Sequence, residues 1–370
     1  MEEDYVVATV IHCADLHLTA GEEREYSFSV LEEIVALTRQ ERAQCLVISG
    51  DLFDSFADAR ELRASFRECI APLNDASIPI IYVPGNHEEL RRGRGDLAAL
   101  DLGPVTTGYK KPFQRMALSE DVELLCIPHQ STYRGYQEWD VPAKRSRYRV
   151  AVAHGLVTGM DIYAGVQANE EIEAGAIDPD LFVRHEVDYA AMGHIHAAYE
   201  KRFGETFVRY SGSARVRRRG EDGEHGVTIL RLGSQIVAES RQMMSAGCYR
   251  EYRVPLSLEG HMGGTEDFGS NWGSRDWVDI YLSGVVENEN VVATVETALR
   301  ERCRNRVRRL DIHRELVRPL PGIASQPVAN KFLQAWAARE PGAGDERARR
   351  VWYKARELGL DRIVRVLEAR

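Results

Sequence analysis

The sequence lacks several features that would have assigned the protein to a particular class. No apolar run approaches the roughly 18 residues of a membrane-spanning helix, so we expect no membrane span. The six cysteines are scattered and form no C-x-x-C pair, which argues against both a disulfide framework and a thiolate zinc site. An excess of positive charge is also absent, because 48 Lys and Arg residues face 57 Asp and Glu residues. This balance excludes a uniformly basic nucleic-acid-binding surface but leaves room for a local basic stripe.

What the chain does contain is typical of a globular protein. Its 370 residues leave room for two or three domains, and 44% of them are hydrophobic while 28% are charged. The first residues are acidic where a signal peptide would be basic, and they run directly into a strand-like segment. We therefore expect a cytoplasmic protein.

The first half of the chain alternates β-branched runs with amphipathic stretches. The predicted elements are, in order, the strand Val6–Ile11, a helix over 24–43, the strand Cys45–Ser49, a helix over 58–74, and the strands Ile78–Val83, Val122–Ile127, Arg149–Ala153 and Tyr189–Met192. The opening β-α-β-α-β order predicts a parallel sheet covered by helices. Because a second set of strands follows, we expect two sheets packed together with helices outside.

The character of the sequence changes near residue 245. A Gly- and Ser-rich loop over 260–274 precedes a strand, a helix at about 289–303 and another strand, which predicts a small α+β domain. Pro319, Pro321 and Pro327 indicate a linker, and two helical segments follow it. We predict three domains, over 1–245, 246–320 and 321–370.

Polar clusters follow several of the strand-like runs. In chain order they are Asp15-Leu16-His17, Gly50-Asp51-Leu52-Phe53-Asp54, Gly85-Asn86-His87-Glu88, Ala153-His154-Gly155 and Gly193-His194-Ile195-His196. Ligands collect at the carboxyl ends of strands in open α/β sheets, so these clusters are expected to converge. Each cluster alone would be an ordinary turn or helix cap, but all of them in this order indicate a metal site.

The residue types favour a pair of divalent ions. Carboxylate oxygens and imidazole nitrogens without a thiolate suit manganese, iron or zinc. A binuclear site needs one carboxylate between two ions, and Asp51 on its Gly-Asp turn is the natural candidate. His12, inside the first strand, is instead expected to be a buried, hydrogen-bonded histidine.

The ordered motifs D-x-H, G-D-x-x-D, G-N-H-E, H and G-H-x-H resemble the signature of the calcineurin-like metallophosphoesterases. The opening I-H-C-A-D-L-H-L, the phrase G-D-L-F-D and the segment Tyr210-Ser211-Gly212-Ser213 resemble the SbcD-type DNA repair exonucleases. The motifs cover residues 10–213, and beyond about residue 245 the resemblance rests on domain order. It implies an α/β fold, a four-layer αββα sandwich with a small α+β capping domain and C-terminal helices.

The resemblance also implies roles for individual residues. One ion would be held by Asp15, His17, Asp51 and His196, and the other by Asp51, Asn86, His154 and His194. His87 would be catalytic without being a ligand, facing the phosphate to stabilise its charge or to protonate the leaving oxygen. The cofactors expected are two Mn²⁺ ions, with Fe, Zn or Mg as alternatives.

Two residues depart from the pattern of the relatives. Archaeal and eukaryotic relatives usually carry a histidine where this chain has Asp54, so Asp54 cannot supply an imidazole and its role stays open. Glu88 stands where nuclease members more often have aspartate. Neither departure touches the expected metal ligands.

Arginine supplies 42 of the 48 basic residues, which reflects either codon usage or clusters that grip phosphates. One candidate DNA-binding cluster, Arg91, Arg92 and Arg94, follows the Gly-Asn-His-Glu turn. Another, Arg215 and Arg217, follows the Ser-Gly-Ser turn. A solvated charged face is the alternative for each.

The function implied is that of a metal-dependent DNA nuclease, of the double-strand exonuclease and single-strand endonuclease type, that uses a metal-activated water. Its implied partners are DNA, a second copy of itself and an SbcC-like coiled-coil ABC-type ATPase, in a cytoplasmic, nucleoid-associated complex. The apolar residues of the C-terminal helices would dock on that ATPase, although packing against each other is the simpler interpretation. Two alternatives stay open: a phosphodiesterase or phosphatase for small substrates, and a non-catalytic regulatory scaffold of the ATPase.

Overall fold

The structure, a computed structural model, describes residues 6–88, 97, 100–160, 175–264, 268–342 and 345–368. The chain divides into two compact units, Met1–Gly247 and Cys248–Arg370. The three-domain division predicted from the sequence stays a prediction. Among the described helices, none is both long enough and apolar enough to cross a membrane.

The first unit is built from two mixed sheets with helices. Its described elements are β1 (Ala8–Cys13), α1 (Arg24–Gln40), β2 (Cys45–Ser49), α2 (Phe56–Asp75), β3 (Ile80–Val83), β4 (Val105–Thr107), β5 (Gln114–Ala117), β6 (Val122–Ile127), β7 (Tyr148–His154), α3 (Asp180–Arg184), β8 (Tyr189–Gly193), β9 (Tyr199–Phe203), β10 (Thr206–Tyr210), β11 (Gly226–Leu232) and β12 (Ile236–Gln242).

The two sheets have six strands each. One has the order β12-β11-β1-β2-β3-β4 and the other the order β5-β6-β7-β8-β10-β9. In the first sheet β1 to β4 are parallel, and in the second β6, β7, β8 and β10 are parallel. The remaining strands, β11 and β12 in the first sheet and β5 and β9 in the second, pair antiparallel. The parallel strand β4 forms one edge of the first sheet.

The strands alternate between two buried faces. Val10 and Val47 of the first sheet point between the sheets and share a cluster with Leu124 and Val152 of the second. Their neighbours along the strands, such as Ile11, point the other way and pack in the cluster that covers the first sheet. This period of two is that of strands buried on both faces.

Helices cover the outer faces of both sheets. Leu31 of α1 and Phe66 of α2 are fully buried against the first sheet. On the second sheet, Leu181 and Phe182 of α3 pack with the strand residue Met192. Each such side chain contributes about 1.5–3 kcal/mol through burial. The predicted α/β sandwich of two sheets with helices outside is confirmed.

In its described residues, the second unit contains a three-stranded sheet and four helices. Its elements are β13 (Tyr249–Pro255), β14 (Trp277–Val286), α4 (Glu289–Cys303), β15 (Arg309–Pro319), α5 (Leu320–Ala324), α6 (Pro327–Ala337) and α7 (Glu346–Glu368). The sheet is parallel throughout. Val292, Val295 and Leu299 of α4 pack on its apolar face. The side chain of Asn288 caps α4 by accepting hydrogen bonds from the main chain of Asn290 and Val291, as an N-cap residue does.

The prediction of a linker at Pro319, Pro321 and Pro327 is wrong. Pro321 lies in the first turn of α5, and Pro327 begins α6. Proline fits both positions because the first N–H groups of a helix have no acceptor within it. The segment is held by Ile323, which is buried in a cluster with Ala329 and Leu360.

Candidate metal centre

The polar clusters predicted from the sequence lie at the carboxyl ends of parallel strands. Asp15 follows β1, Asp51 follows β2 and Asn86 follows β3, while His154 ends β7 and His194 follows β8. Three of these strands belong to one sheet and two to the other. The centre therefore spans both sheets at one edge of the sandwich.

The loops that carry these residues are strained. Asp15, His17, Asp51 and His194 all have positive φ, at 53°, 46°, 46° and 102°. Left-handed backbone is uncommon for residues other than glycine and persists only where the surroundings impose it. Here the loops support one another, since the N–H of Asp15 donates to Gly50 O at 3.2 Å and that of His17 to Asp51 O at 2.9 Å.

Two glycines allow the loops to approach closely. A Cβ on Gly85 would lie 2.1 Å from Oδ1 of Asp51, and one on Gly193 would lie 1.8 Å from the carbonyl oxygen of Ser49. Neither distance is compatible with a side chain. Both glycines are therefore required by the packing around Asp51 and between the two sheets.

Donor atoms of Asp15, His17 and His196 form one compact group, all within 4.8 Å of one another. Nε2 of His17 lies 3.3 Å from Nε2 of His196. Asp51 Oδ2 approaches the same His17 nitrogen at 3.8 Å. We refer to this group as the first ion position.

A second group of donor atoms also contacts the Asp51 carboxylate. Nε2 of His154 is 3.4 Å from Asp51 Oδ2 and 3.0 Å from Oδ1 of Asn86. Nδ1 of His194 lies 3.1 Å from the same Asn86 oxygen. We refer to Asp51, Asn86, His154 and His194 as the second ion position. Asp51 lies between the two positions, where a bridging carboxylate would lie.

These donor atoms fit divalent cations. Nε2 of His17 and Nε2 of His196 lie 3.3 Å apart, a separation that favours a proton or a cation between the two nitrogens. The donors are carboxylate, amide and imidazole groups without a thiolate, which suits hard to borderline ions. The residues present are therefore able to hold a binuclear divalent metal site.

The electrostatics of the centre also favour positive charge. Burial works to raise the pKa of Asp51, but the neighbouring His154, His17 and His87 together hold that pKa well below its usual range. Burial works to lower the pKa of His154, whereas Asp51 and Asp15 raise it to about 9. The buried carboxylates thus stabilise a cation placed among them.

His87 lies at the rim of the centre, where one of its ring nitrogens is within 4.8 Å of donor atoms of His17 and Asp54. Its Nδ1 donates to the carbonyl oxygen of Asp54 at 2.9 Å, which leaves Nε2 4.0 Å from Asp51 Oδ2. Its side chain is 26% exposed, whereas that of His17 is fully buried. An incoming substrate can therefore reach His87.

Asp54, whose role the sequence left open, contacts the centre from outside. Its Oδ1 lies 3.3 Å from Nδ1 of His17 and accepts a hydrogen bond from Arg217 Nη2. The pKa of Asp54 is lowered, first by its interaction with His17 and then by the Arg217 charge. Arg217, predicted as a DNA contact, thus lies at the edge of the centre with its side chain 18% exposed.

The predicted DNA contact at Arg215 needs correction. Its side chain is 3% exposed, and its guanidinium donates to the carbonyl oxygens of Leu16 and His17 at 2.6 and 2.7 Å. A guanidinium used in this way supports the loop after β1 and cannot extend to a phosphate. The other predicted cluster, Arg91, Arg92 and Arg94, lies outside the described residues.

Glu88 connects two of the loops. Its Oε1 accepts from the N–H of Phe53 at 2.8 Å and its Oε2 from the N–H of Gly85 at 3.0 Å. Burial is the main cause that raises the pKa of Glu88 to about 7. Glu88 therefore ties the loop of Asp51 to the loop of Asn86.

One residue that contacts the centre is not predicted by the sequence motifs. Glu221 Oε1 lies 2.5 Å from Nδ1 of His196. The residue belongs to none of the motifs and lies in an Arg-rich loop, so no spacing rule points to it. His12 is as expected, since it is fully buried and bonded to the hydroxyl of Tyr189 and the carbonyl of Met192.

Comparison with known proteins decides the family. Residues 8–198 match the family model of the calcineurin-like phosphoesterases. The chain belongs to this family. The match covers every one of the expected ligands, and the resemblance inferred from the motifs is confirmed.

Several curated relatives have names that refer to DNA repair or to a nuclease. The chain is 24% identical over 227 residues to the DNA double-strand break repair protein Mre11 of Thermoplasma acidophilum, an alignment that covers 57% of each chain. It is 25% identical over 261 residues to Mre11 of Halobacterium salinarum, covering 65% of this chain and 61% of that protein. It is 26% identical over 238 residues to the SbcD component of the nuclease SbcCD of Staphylococcus saprophyticus, covering 55% and 60%. The chain thus spans about three fifths of the length of these relatives.

A solved structure, a dimetal phosphatase from Danio rerio, resembles the chain with a TM-score of 0.43 at 15% identity. That likeness covers 64% of this chain and 96% of the phosphatase.

Proposed function

We propose that this calcineurin-like phosphoesterase is a metal-dependent nuclease that hydrolyses phosphodiester bonds of DNA. The observation that carries the proposal is the position of the Asp51 carboxylate between the two groups of donor atoms, with His87 at the rim. The names of the Mre11 and SbcD relatives support DNA as the substrate. The exonuclease and endonuclease activities implied by the resemblance are part of this proposal.

The chain's own residues would hold two divalent ions, which we propose to be Mn²⁺. The first ion would be held by Asp15, His17, Asp51 and His196, and the second by Asp51, Asn86, His154 and His194. When bound, such ions neutralise phosphate oxygens and activate water at neutral pH. The fixed loops and buried carboxylates contribute by holding every donor in place before substrate arrives.

His87 would act on the substrate directly. Because Nδ1 donates its proton to a hydrogen bond with the Asp54 carbonyl oxygen, Nε2 is the nitrogen left to act on the substrate. Nε2 faces the centre. A protonated Nε2 would stabilise charge on the phosphate and pass its proton to the leaving oxygen. Asp54 keeps the ring in the orientation this requires.

The C-terminal helices support a proposal about a partner. Leu360, Ile363 and Val364 of α7 pack within their own unit, which agrees with the simpler interpretation for one face of the helix. The opposite face carries Val351 and Leu358, which are 64% and 60% exposed. An exposed apolar stripe on a helix is a docking surface for another helix.

A groove beside this stripe strengthens the same proposal. The rings of Trp336 and Trp352 lie 5.8 Å apart, and among the described residues neither indole Nε1–H has a hydrogen-bond partner. We propose that the face of Val351 and Leu358 binds a coiled-coil ABC-type ATPase. The chain would work with that ATPase as a homodimer on DNA, in the cytoplasm at the nucleoid. Residues 1–245 would be the nuclease domain, 246–320 the DNA-binding cap and 321–370 the docking segment.

Cleavage of linear duplex DNA by the full chain with Mn²⁺ tests the function. We expect cleavage by the wild type, loss of cleavage in His87→Gln with Mn²⁺ binding retained, and wild-type behaviour in Glu205→Gln, which alters an exposed residue in the turn between β9 and β10. Rapid turnover of cyclic nucleotides or phosphopeptides with no attack on duplex DNA would instead identify a small-substrate enzyme. Mn²⁺ binding with no turnover of any of these would identify a regulatory scaffold.

A further inference from the structure

Glu221 lies behind the first ion position, on the loop that follows β10. Its Oε2 accepts hydrogen bonds from the main-chain N–H groups of Arg217 and Arg218 at 2.6 and 2.9 Å. Its Oε1 lies 2.5 Å from Nδ1 of His196, and the side chain is only 12% exposed. The loop therefore fixes the Glu221 carboxylate, and the carboxylate in turn fixes the imidazole.

This contact decides which nitrogen of His196 is available. A carboxylate only accepts hydrogen bonds, so Nδ1 carries the proton and Nε2 keeps its lone pair. That Nε2 faces Nε2 of His17 at 3.3 Å. On the far side of the His17 ring, Asp54 Oδ1 lies 3.3 Å from Nδ1. Each imidazole of the first ion position thus has a carboxylate behind it.

The second ion position is supported differently. Nδ1 of His154 donates to the carbonyl oxygen of Ser49 at 2.9 Å. A carbonyl fixes the ring and its tautomer as well as a carboxylate does, but it adds no full negative charge. Partners behind metal-binding histidines raise the basicity of the ligand and the affinity for the metal. The group behind His196 is therefore charged, whereas the group behind His154 is neutral.

We propose that Glu221 is a positioning residue that strengthens the first ion position by holding His196 in its metal-binding tautomer. The inference rests on the proposed metal centre and adds that the two positions bind their ions unequally, the first more tightly. In Glu221→Gln the amide oxygen is needed as the acceptor for the main-chain N–H groups of Arg217 and Arg218, so the amide N–H faces His196 and favours the tautomer with the proton on Nε2. Loss of such a partner lowers metal affinity about 10- to 100-fold.

Calorimetric titration of the metal-free full-length protein with Mn²⁺ tests the proposal. We expect the wild type to bind two ions with unequal affinity, and Glu221→Gln to lose about 10- to 100-fold at the tighter step alone. Glu224→Gln is the matched control, because it makes the same change at an exposed residue of the same loop, and its titration should equal that of the wild type.

A second measurement reads the tautomer directly. In ¹⁵N-histidine spectra of the metal-free protein, His196 should show a protonated Nδ1 in the wild type and in Glu224→Gln but not in Glu221→Gln. If Glu221→Gln does not fold, Glu221→Ala removes the same acceptor behind His196 and should weaken the same step.

The outcomes separate the two proposals. A wild type that binds fewer than two ions overturns the proposed metal centre. If the wild type binds two ions and the titration of Glu221→Gln is unchanged, the role of Glu221 is overturned and the metal centre stands. The same conclusion follows if Glu221→Gln weakens both binding steps equally.

Discussion

Oδ2 of Asp51 lies 3.4 Å from Nε2 of His154, although the two residues come from different sheets of the sandwich. The same oxygen lies 3.8 Å from Nε2 of His17, a residue of the first ion position. One carboxylate therefore contacts both groups of donor atoms. This relationship joins the two sheets at their carboxyl-terminal edge and supports a shared ligand more than two independent sites.

Asp51→Asn should abolish the paired site. The amide keeps the shape of the side chain but removes the charge that both groups of donors share, so we expect loss of at least one ion per chain and at least about a 10³-fold drop in DNA cleavage. Metal analysis after gel filtration and a duplex cleavage assay measure the two effects. Asp222→Asn, at an exposed residue of the same unit, should leave both unchanged. Full metal content in Asp51→Asn would count against a bridging role.

Gly193→Ala should destabilise the fold by at least about 3 kcal/mol, since the added Cβ would lie 1.8 Å from the Ser49 carbonyl oxygen and must push the two sheets apart. Urea unfolding of the metal-free protein measures the change. Gly21→Ala, where the nearest atom is 3.7 Å from the added Cβ, should change stability by less than about 1 kcal/mol. Equal stability of the two variants would show that the close approach at Gly193 is absent in solution.

His12 should make the stability of the first unit sensitive to acid. Burial, followed by the charge of Arg209, lowers the pKa of His12 from 6.5 to about 3. The folded protein thus keeps His12 neutral at pH values where the unfolded chain binds a proton. Its contribution to the free energy of unfolding therefore falls by about 1.4 kcal/mol per pH unit as the pH decreases from about 6.5 toward 3.

In His12→Gln the new side chain can still form a hydrogen bond with Tyr189 or Met192, but it has no group that titrates. Urea unfolding of metal-free wild type and variant at pH 7, 6 and 5 isolates the contribution of His12. The stability difference between the two proteins should shrink as the pH falls, because only the wild type loses this contribution. A difference that is constant across the range would contradict the proposed burial of a neutral imidazole.

The exposed stripe of α7 should be needed for partner binding and not for cleavage. Val351→Asp together with Leu358→Asp places charge on a surface that is already in water, so the fold of the second unit should persist. We expect retention of Mn²⁺-dependent cleavage and loss of co-purification with a coiled-coil ABC-type ATPase. Arg350→Asp, one exposed residue earlier on the same helix, serves as the control. Normal binding of the ATPase by the double variant would show that this face is not the docking surface.

Much of the fold and the centre could be predicted from the sequence because both depend on local patterns. Buried strands are short apolar runs, and Asp15, Asn86 and His194 each lie within three residues of the end of one. Contacts that form because a loop folds back onto the centre leave no such local pattern in the sequence. Glu221 meets His196 only because the loop after β10 returns to the centre, and Arg215 is buried because the same loop covers the segment after β1. Asp54 accepts a hydrogen bond from Arg217, and no sequence motif relates these two residues.

The segment that contains Pro321 and Pro327 shows a different limit of prediction from the sequence. Proline is compatible with a linker and with the first turn of a helix, and only packing distinguishes the two. Here the burial of Ile323 against Ala329 and Leu360 favours helices at α5 and α6.

The most direct test of the central claim is anomalous diffraction at the manganese edge from crystals of the Mn²⁺-loaded protein. The account predicts two anomalous peaks on either side of the Asp51 carboxylate, about 3.5–4 Å apart. One peak should lie beside His17 and His196 and the other beside Asn86 and His154. A single peak, or peaks away from Asp51, would contradict the binuclear centre.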